Sequence, residues 1–273
     1  MLRNRILTAF VLIPLVVAGV LMAPTDMLRV VFGAITLLGA REMARLAGLE
    51  RLGLQWLYAL GVGLLLFAAY HLLVPPFERW LQVLAVVFWV VVTLRLLYWH
   101  RHLTPEGHLR PGLMLLGALQ LVVAWLSVVA LHGSGPNGPA LLLFMLVLVW
   151  TADSAAYFAG RAWGRHKLSP VVSPGKTWEG ALGGLFGAGV AALVLWQLNL
   201  TSLGPVALMV LCVATAFISI GGDLWESLLK RQVGLKDSGA LLPGHGGVLD
   251  RIDSLIAAAP LFTFGLHFLG NGL

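Results

Sequence analysis

Seven acidic side chains, Asp153, Glu179, Asp223, Glu226, Asp237, Asp250 and Asp253, fall within about a hundred residues of the carboxy-terminal half, and lysines and arginines alternate with them. Asp250 and Asp253 are spaced i, i+3, so a helix would point both at one place. Asp223, Glu226, Ser227 and Lys230, with Ser219 before them, follow i, i+3, i+4 spacing along one helical face. Carboxylates at membrane depth are costly and usually face water or a bound cation, and hard oxygen ligands of this kind suit Mg²⁺. A single cysteine and scattered histidines speak against zinc. Lys230, Arg231, Lys236 and Arg251 would match a polyphosphate, for which Arg offers a planar fork and Lys a point charge. Plainer readings stand beside these. Glu226 and Lys230 could form a structural i, i+4 ion pair, Asp250 could cap a helix, and Arg251 could anchor at lipid headgroups.

Three further stretches carry the right residue types. His245, Gly246 and Gly247 place an imidazole before two glycines, which lets backbone N–H groups approach an anion. The stretch SPGKTWEG at 173–180 ends like a phosphate-binding loop, but Pro170 occupies the position of that loop's first glycine and no strand is expected before it. What remains is a helix start offering Ser173, Lys176, Thr177 and the positive end of the helix dipole, with Glu179 in the first turn. The small-residue series Gly180, Gly183, Gly184 and Gly187 reads as close helix packing. Asp153, within WTADSAAYFAGRAWG, reads either as a contact to a substrate hydroxyl or as a structural ion pair with a basic loop.

These groups need a scaffold, and the composition says which kind. The chain of 273 residues is 59% hydrophobic and 11% charged, with a mean hydropathy of +0.90. A soluble domain carries about a quarter charged residues, so the solvent for most of this chain is lipid. Long apolar runs without alternation exclude a barrel, because lipid cannot hydrogen-bond an open backbone. An all-α, polytopic integral membrane protein follows, with about nine transmembrane helices predicted at 6–24, 27–46, 55–74, 80–99, 112–132, 140–159, 178–198, 205–226 and 252–270. The first is read as a retained helix, Cys212 as packing, and GSGPNGP at 133–139 as an outer turn.

With those spans, all of the 18 Lys and Arg except Arg29 and Arg79 lie on one side of the membrane. The positive-inside rule then places the amino terminus in the cytoplasm and the carboxy terminus outside. The net charge of +6 is spread in this way rather than gathered in one basic block, so nucleic acid is not an expected partner. Residues 1–139, whose acids are Asp26, Glu42, Glu50, Glu78 and Glu106, read as a scaffold without chemistry. Residues 140–273 read as the catalytic region, with cytoplasmic loops 160–177 and 227–251 opening onto one site.

Residues 227–253 resemble the signature of the phosphatidate cytidylyltransferase (CDP-diacylglycerol synthase) family, S-x-x-K-R, four residues, K-D, then P-x-H-G-G-x-x-D-R-x-D. Its fixed positions are Ser227, Lys230, Arg231, Lys236, Asp237, Pro243, His245, Gly246, Gly247, Asp250, Arg251 and Asp253. Upstream, D-S-x-A-Y at 153–157, S-P-x-K-T-x-E-G at 173–180 and G-D-L-x-E-S at 222–227 are similar to the family's elements, so the likeness covers the carboxy-terminal half.

The resemblance implies transfer of CMP from CTP to phosphatidate, with CDP-diacylglycerol and pyrophosphate as products. It also implies Mg²⁺, with room for a second metal ion, held by Asp223, Asp250 and Asp253 and supported by Asp237. Lys230, Arg231, Lys236 and Arg251 would contact phosphates. Asp153, Ser173, Lys176, Thr177, Glu179, Ser227, His245, Gly246 and Gly247 would line the substrate site. CTP, phosphatidate and membrane lipids are the expected partners, the bacterial inner or plasma membrane the expected place, and a homodimer is left open. The competing classes are a CTP-dependent lipid kinase and a cation-coupled transporter.

Overall fold

In a computed structural model, residues 13–73, 75–98, 108–241 and 246–270 are described. Nine helices run through them: α1 Ile13–Met22, then α2 Thr25–Leu46, α3 Leu52–Leu72, α4 Pro75–Leu97, α5 Pro111–His132, α6 Gly138–Trp163, α7 Trp178–Leu198, α8 Pro205–Gln232 and α9 Leu249–Leu269. Seven of them, α3 to α9, are long and apolar enough to cross a membrane. The protein is therefore an integral membrane protein built of helices. Two predicted spans need comment. The segment expected at 6–24 lies partly outside the described residues. The helix α2 has 22 residues, about 33 Å at 1.5 Å per residue. Its charges stand only near its two ends, Asp26 and Arg29 at one, Arg41, Glu42 and Arg45 at the other.

Hydrogen bonds identify the two faces of the bundle. On one, Arg110 binds the end of α2 through its backbone N–H to Ala47 O at 2.9 Å and its Nη2 to Leu46 O at 2.6 Å, while Nη1 reaches Gln232 at the end of α8. On the other, Thr25 Oγ1 lies 2.9 Å from His132 Nδ1, and Asn137 Nδ2 donates to Leu200 O at 3.1 Å. The ends of α2 and α8 and the start of α5 thus meet on the Arg110 face.

The carboxy-terminal helices pack in sequence, α6 on α7, α7 on α8 and α8 on α9, and α9 also touches α2, α4 and α5. Gly180, Gly183, Gly184 and Gly187 of α7 lie against Ala152, Ala155, Ala156 and Ala159 of α6. A Cβ at Gly187 would stand 2.9 Å from that of Ala155, so these glycines are set by packing, as their spacing predicts.

Two expected loops are more ordered than loops. Residues 160–177 contain an antiparallel hairpin, β1 Lys167–Ser169 and β2 Ser173–Thr177. Leu168 and Val172 anchor it by packing with Leu96, Leu97, Leu224 and Leu228 on α4 and α8. The stretch SPGKT is thus a strand rather than the start of α7. Thr177 is instead the N-cap, its Oγ1 accepting from Gly180 N at 3.1 Å. At the other loop, α8 runs past the expected end at 226 to Gln232, where Gly234 at φ +70° lets the chain turn and Leu235 N closes onto Lys230 O at 2.8 Å. Asp250 and Asp253 likewise both belong to α9.

Candidate active site

A cavity of about 690 Å³ opens between α6, the hairpin, α8 and α9. Asp153, Asp223, Asp237, Asp250 and Asp253 line it together with Arg161, Lys176, Lys230 and Arg251. Ser173 and Thr177 complete the hairpin's side of the wall. The long α8 sets Asp223 and Lys230 two turns apart, and α9 presents Asp250 and Asp253 one turn apart. The i, i+3 spacing thus brings both acids of α9 to one place, as predicted.

Carboxyl groups and cations are interleaved by direct contacts. Lys176 Nζ lies 2.7 Å from Asp223 Oδ2, tying β2 to α8. Ser227 Oγ donates to the other oxygen of Asp223 at 3.3 Å. Lys230 Nζ sits between two acids, 2.9 Å from Glu226 Oε2 and 2.6 Å from Asp250 Oδ1. With Glu226 only 3% exposed, that pair is the structural one its spacing allowed. Breaking one half of a buried pair of this kind leaves an uncompensated charge, at a cost of about 3–5 kcal/mol. Asp253 lies within electrostatic reach of both Asp223 and Glu226.

The second oxygen of Asp250 gathers the loop between α8 and α9. Asp250 Oδ2 accepts from Ser238 N and Ser238 Oγ, both at 2.9 Å, and from Gly247 N at 2.7 Å. Gly246, at φ +78°, is packed so that a Cβ would come 2.7 Å from Asp250 Oδ2. The glycine pair does bring a backbone N–H to an anion, as its pattern predicts. That anion is the protein's own Asp250, so the N–H of Gly247 is engaged within the fold.

Other predicted site residues lie away from the cavity wall. Glu179 clamps the base of the hairpin, with Oε1 2.6 Å from His166 Nδ1 and Oε2 accepting from Arg165 N at 3.1 Å. Its position in the first turn of α7 turns it toward residues 165 and 166. Arg231 and Lys236 are exposed and are not among the lining residues. Ser227 stands behind Asp223. His245 and Pro243 lie outside the described residues. Two contributors had not been singled out, Arg161 and Glu42. In the sequence Arg161 counts only toward the charge asymmetry of the two sides. Glu42 of α2 is 2% exposed and accepts from Ser238 Oγ at 3.0 Å and Leu249 N at 2.7 Å.

Residues 3–269 match the model of the cytidylyltransferase family. The chain belongs to that family. It is 43% identical over 273 residues to a phosphatidate cytidylyltransferase of Pseudomonas aeruginosa, covering 100% of this chain and 99% of the relative. A phosphatidate cytidylyltransferase of Haemophilus influenzae is 38% identical over 287 residues, covering 98% of this chain and 100% of the relative. That of Brucella suis is 49% identical over 144 residues, 52% of this chain and 53% of the relative. Membership makes the protein a nucleotidyltransferase. The cavity gathers acids and cations on one wall.

Proposed function

We propose that the chain is a phosphatidate cytidylyltransferase working at the cavity between α6, the hairpin, α8 and α9. A non-bridging oxygen of the phosphatidate phosphate attacks the α-phosphorus of CTP. The bond from that phosphorus to the oxygen bridging to the β-phosphate breaks, and pyrophosphate leaves opposite the attacking oxygen. The products are CDP-diacylglycerol and pyrophosphate. The observation that carries this reading is one cavity with five carboxyl groups and four cations on its wall. A cavity of this size also lies within the range of ligand pockets, about 300–1,000 Å³.

Roles follow from what each group touches. Lys176 and Lys230 are each held by carboxyl oxygens at 2.6–2.9 Å, and each can turn an N–H toward a phosphate oxygen. Arg161 and Arg251 on the same wall offer two-pronged contacts to phosphate. Among the described residues, no three or more His, Cys, Asp or Glu side chains stand close enough together to form a complete metal site. The expected set of Asp223, Asp250 and Asp253 is therefore not gathered as one cage, and Mg²⁺ itself takes one or two carboxylates and fills its octahedron with phosphate oxygens and water. Asp223 and Asp253 would hold it. Asp250, whose two oxygens already accept four donors, would hold Lys230 and the loop, with Asp237 beside them on the wall. When bound, the ion would neutralise charge on the triphosphate and on the departing pyrophosphate.

The lipid side has its own support. Tyr157, Trp163 and Trp178 are exposed around the junction of α6 and α7, where aromatic side chains mark the membrane–water boundary. Lipid phosphates lie at that level. The positive-inside rule supports reading the Arg110 face, toward which most Lys and Arg are expected to lie, as the cytoplasmic one. The test is an assay of purified protein with phosphatidate, labelled CTP and Mg²⁺. A labelled lipid with pyrophosphate is expected. Release of CDP instead would identify a lipid kinase, and neither product would overturn the proposal.

A further inference from the structure

We infer that Glu42, on α2 and far in sequence from the chemistry, is a positioning residue for the active site, setting Asp250 and through it Lys230. This rests on the proposed reaction at the cavity. Glu42 is separated by 196 residues from Ser238 and by 207 from Leu249, yet its Oε2 takes a hydrogen bond from each, at 3.0 and 2.7 Å. Ser238 lies within the connection between α8 and α9, and Leu249 stands at its end. Leu249 is the first residue of α9, immediately before Asp250.

The contacts run on without a gap. Ser238 Oγ stands 3.0 Å from Glu42 Oε2 and 2.9 Å from Asp250 Oδ2, so one hydroxyl proton serves both carboxyl groups in turn. Asp250 Oδ1 then holds Lys230 Nζ at 2.6 Å on the cavity wall. The two glycines of the connection are shaped around the same carboxyl group. A Cβ at Gly239 would collide with Glu42 Oε1, and one at Gly247 with Glu42 Oε2. Gly247 in turn donates its N–H to Asp250. An acid near a membrane helix end would ordinarily reach for water or a cation, but Glu42 is 2% exposed, and its Oε1 has no hydrogen-bond partner among the described residues. A buried acid in this arrangement is placed for what its other oxygen holds.

The test uses the full chain in detergent. Glu42→Leu, similar in size and without acceptors, should lower kcat by about 30- to 100-fold while both KM values stay within about threefold, since a small misplacement of reacting groups acts on turnover. Glu42→Gln keeps an acceptor for Ser238 and Leu249 and should recover at least about a third of kcat. Hydrogen exchange at the Leu249 amide should quicken in Glu42→Leu and not in Glu42→Gln. Ser238→Ala removes only the hydroxyl bridge and should lower kcat by about tenfold even if Glu42→Leu fails to fold. Unchanged kcat per folded molecule in Glu42→Leu, or in Ser238→Ala, would overturn the inference. A wild-type protein that makes no CDP-lipid would sink the proposed reaction instead, and the exchange rate at Leu249 would still report on the latch.

Discussion

The outer amino-terminal helices and the carboxy-terminal helices use the same apolar alphabet for opposite purposes. In α3 and α4 only 28% of the most apolar stretch is buried within the protein, against 56% in α9. Leu57, Leu60, Leu64 and Phe67 of α3 are exposed to what must be lipid. By contrast, α9 is surrounded by α2, α4, α5, α6 and α8, and its first turns carry two of the five acids of the cavity. Apolarity alone therefore does not separate a lipid-facing helix from a central one. What separates them is where small residues permit close approach and where polar side chains find partners. The comparison also has a seam. Glu42 and Arg110, both from the amino-terminal half, bind the carboxy-terminal half at the Arg110 face.

If the carboxy-terminal face holds the chemistry, chelating divalent metal with EDTA should abolish CDP-lipid formation, and added Mg²⁺ should restore it. Turnover that survives chelation would remove the metal from the proposal. Asp223→Asn should lower kcat by about 100- to 1,000-fold, a loss typical of deleting one preorganised electrostatic group. Full activity in that variant would disconnect the Lys176–Asp223 contact from catalysis. Lys230→Met should cost about 3–5 kcal/mol of stability, read by thermal unfolding in detergent, because it leaves Glu226 and Asp250 facing each other without a cation.

Smaller effects sharpen the contrast between the halves. Arg110→Met should lower stability by about 1.5–3 kcal/mol through lost charge-assisted hydrogen bonds, with kcat per folded molecule within about threefold of wild type. A large loss of kcat there would make the seam part of the chemistry. Thr177→Ala should cost about 1 kcal/mol by uncapping α7, and Thr177→Ser should keep the cap. Leu64→Ala, on the lipid side of α3 at 72% exposure, should change neither activity nor stability beyond about 0.5 kcal/mol.

Much of this was legible because lipid restricts the choices so strongly. A backbone without water must satisfy itself, so apolar runs of sufficient length become helices, and charge asymmetry tells which ends share a face. Local spacing was equally informative: Asp250 with Asp253, and Glu226 with Lys230, sit as a helix of 3.6 residues per turn requires. The hairpin escaped notice because its strands are three and five residues long and are secured by Leu168 and Val172 packing on distant α4 and α8. Thr177 both caps α7 and lines the cavity, because capping and anion binding use the same residue types at the same place.

By itself, then, the sequence determined that this is a helical membrane protein, which residues can do chemistry, and which neighbours along a helix must meet. Only the tertiary structure decided what those residues answer to. Gly247 donates to Asp250, Lys176 crosses to Asp223, and Glu42 reaches Ser238 and Leu249 across about two hundred residues of chain. The physical reason is that helical periodicity acts over one or two turns, whereas the partner of a buried polar group is whichever donor or acceptor the packed bundle brings within about 3 Å.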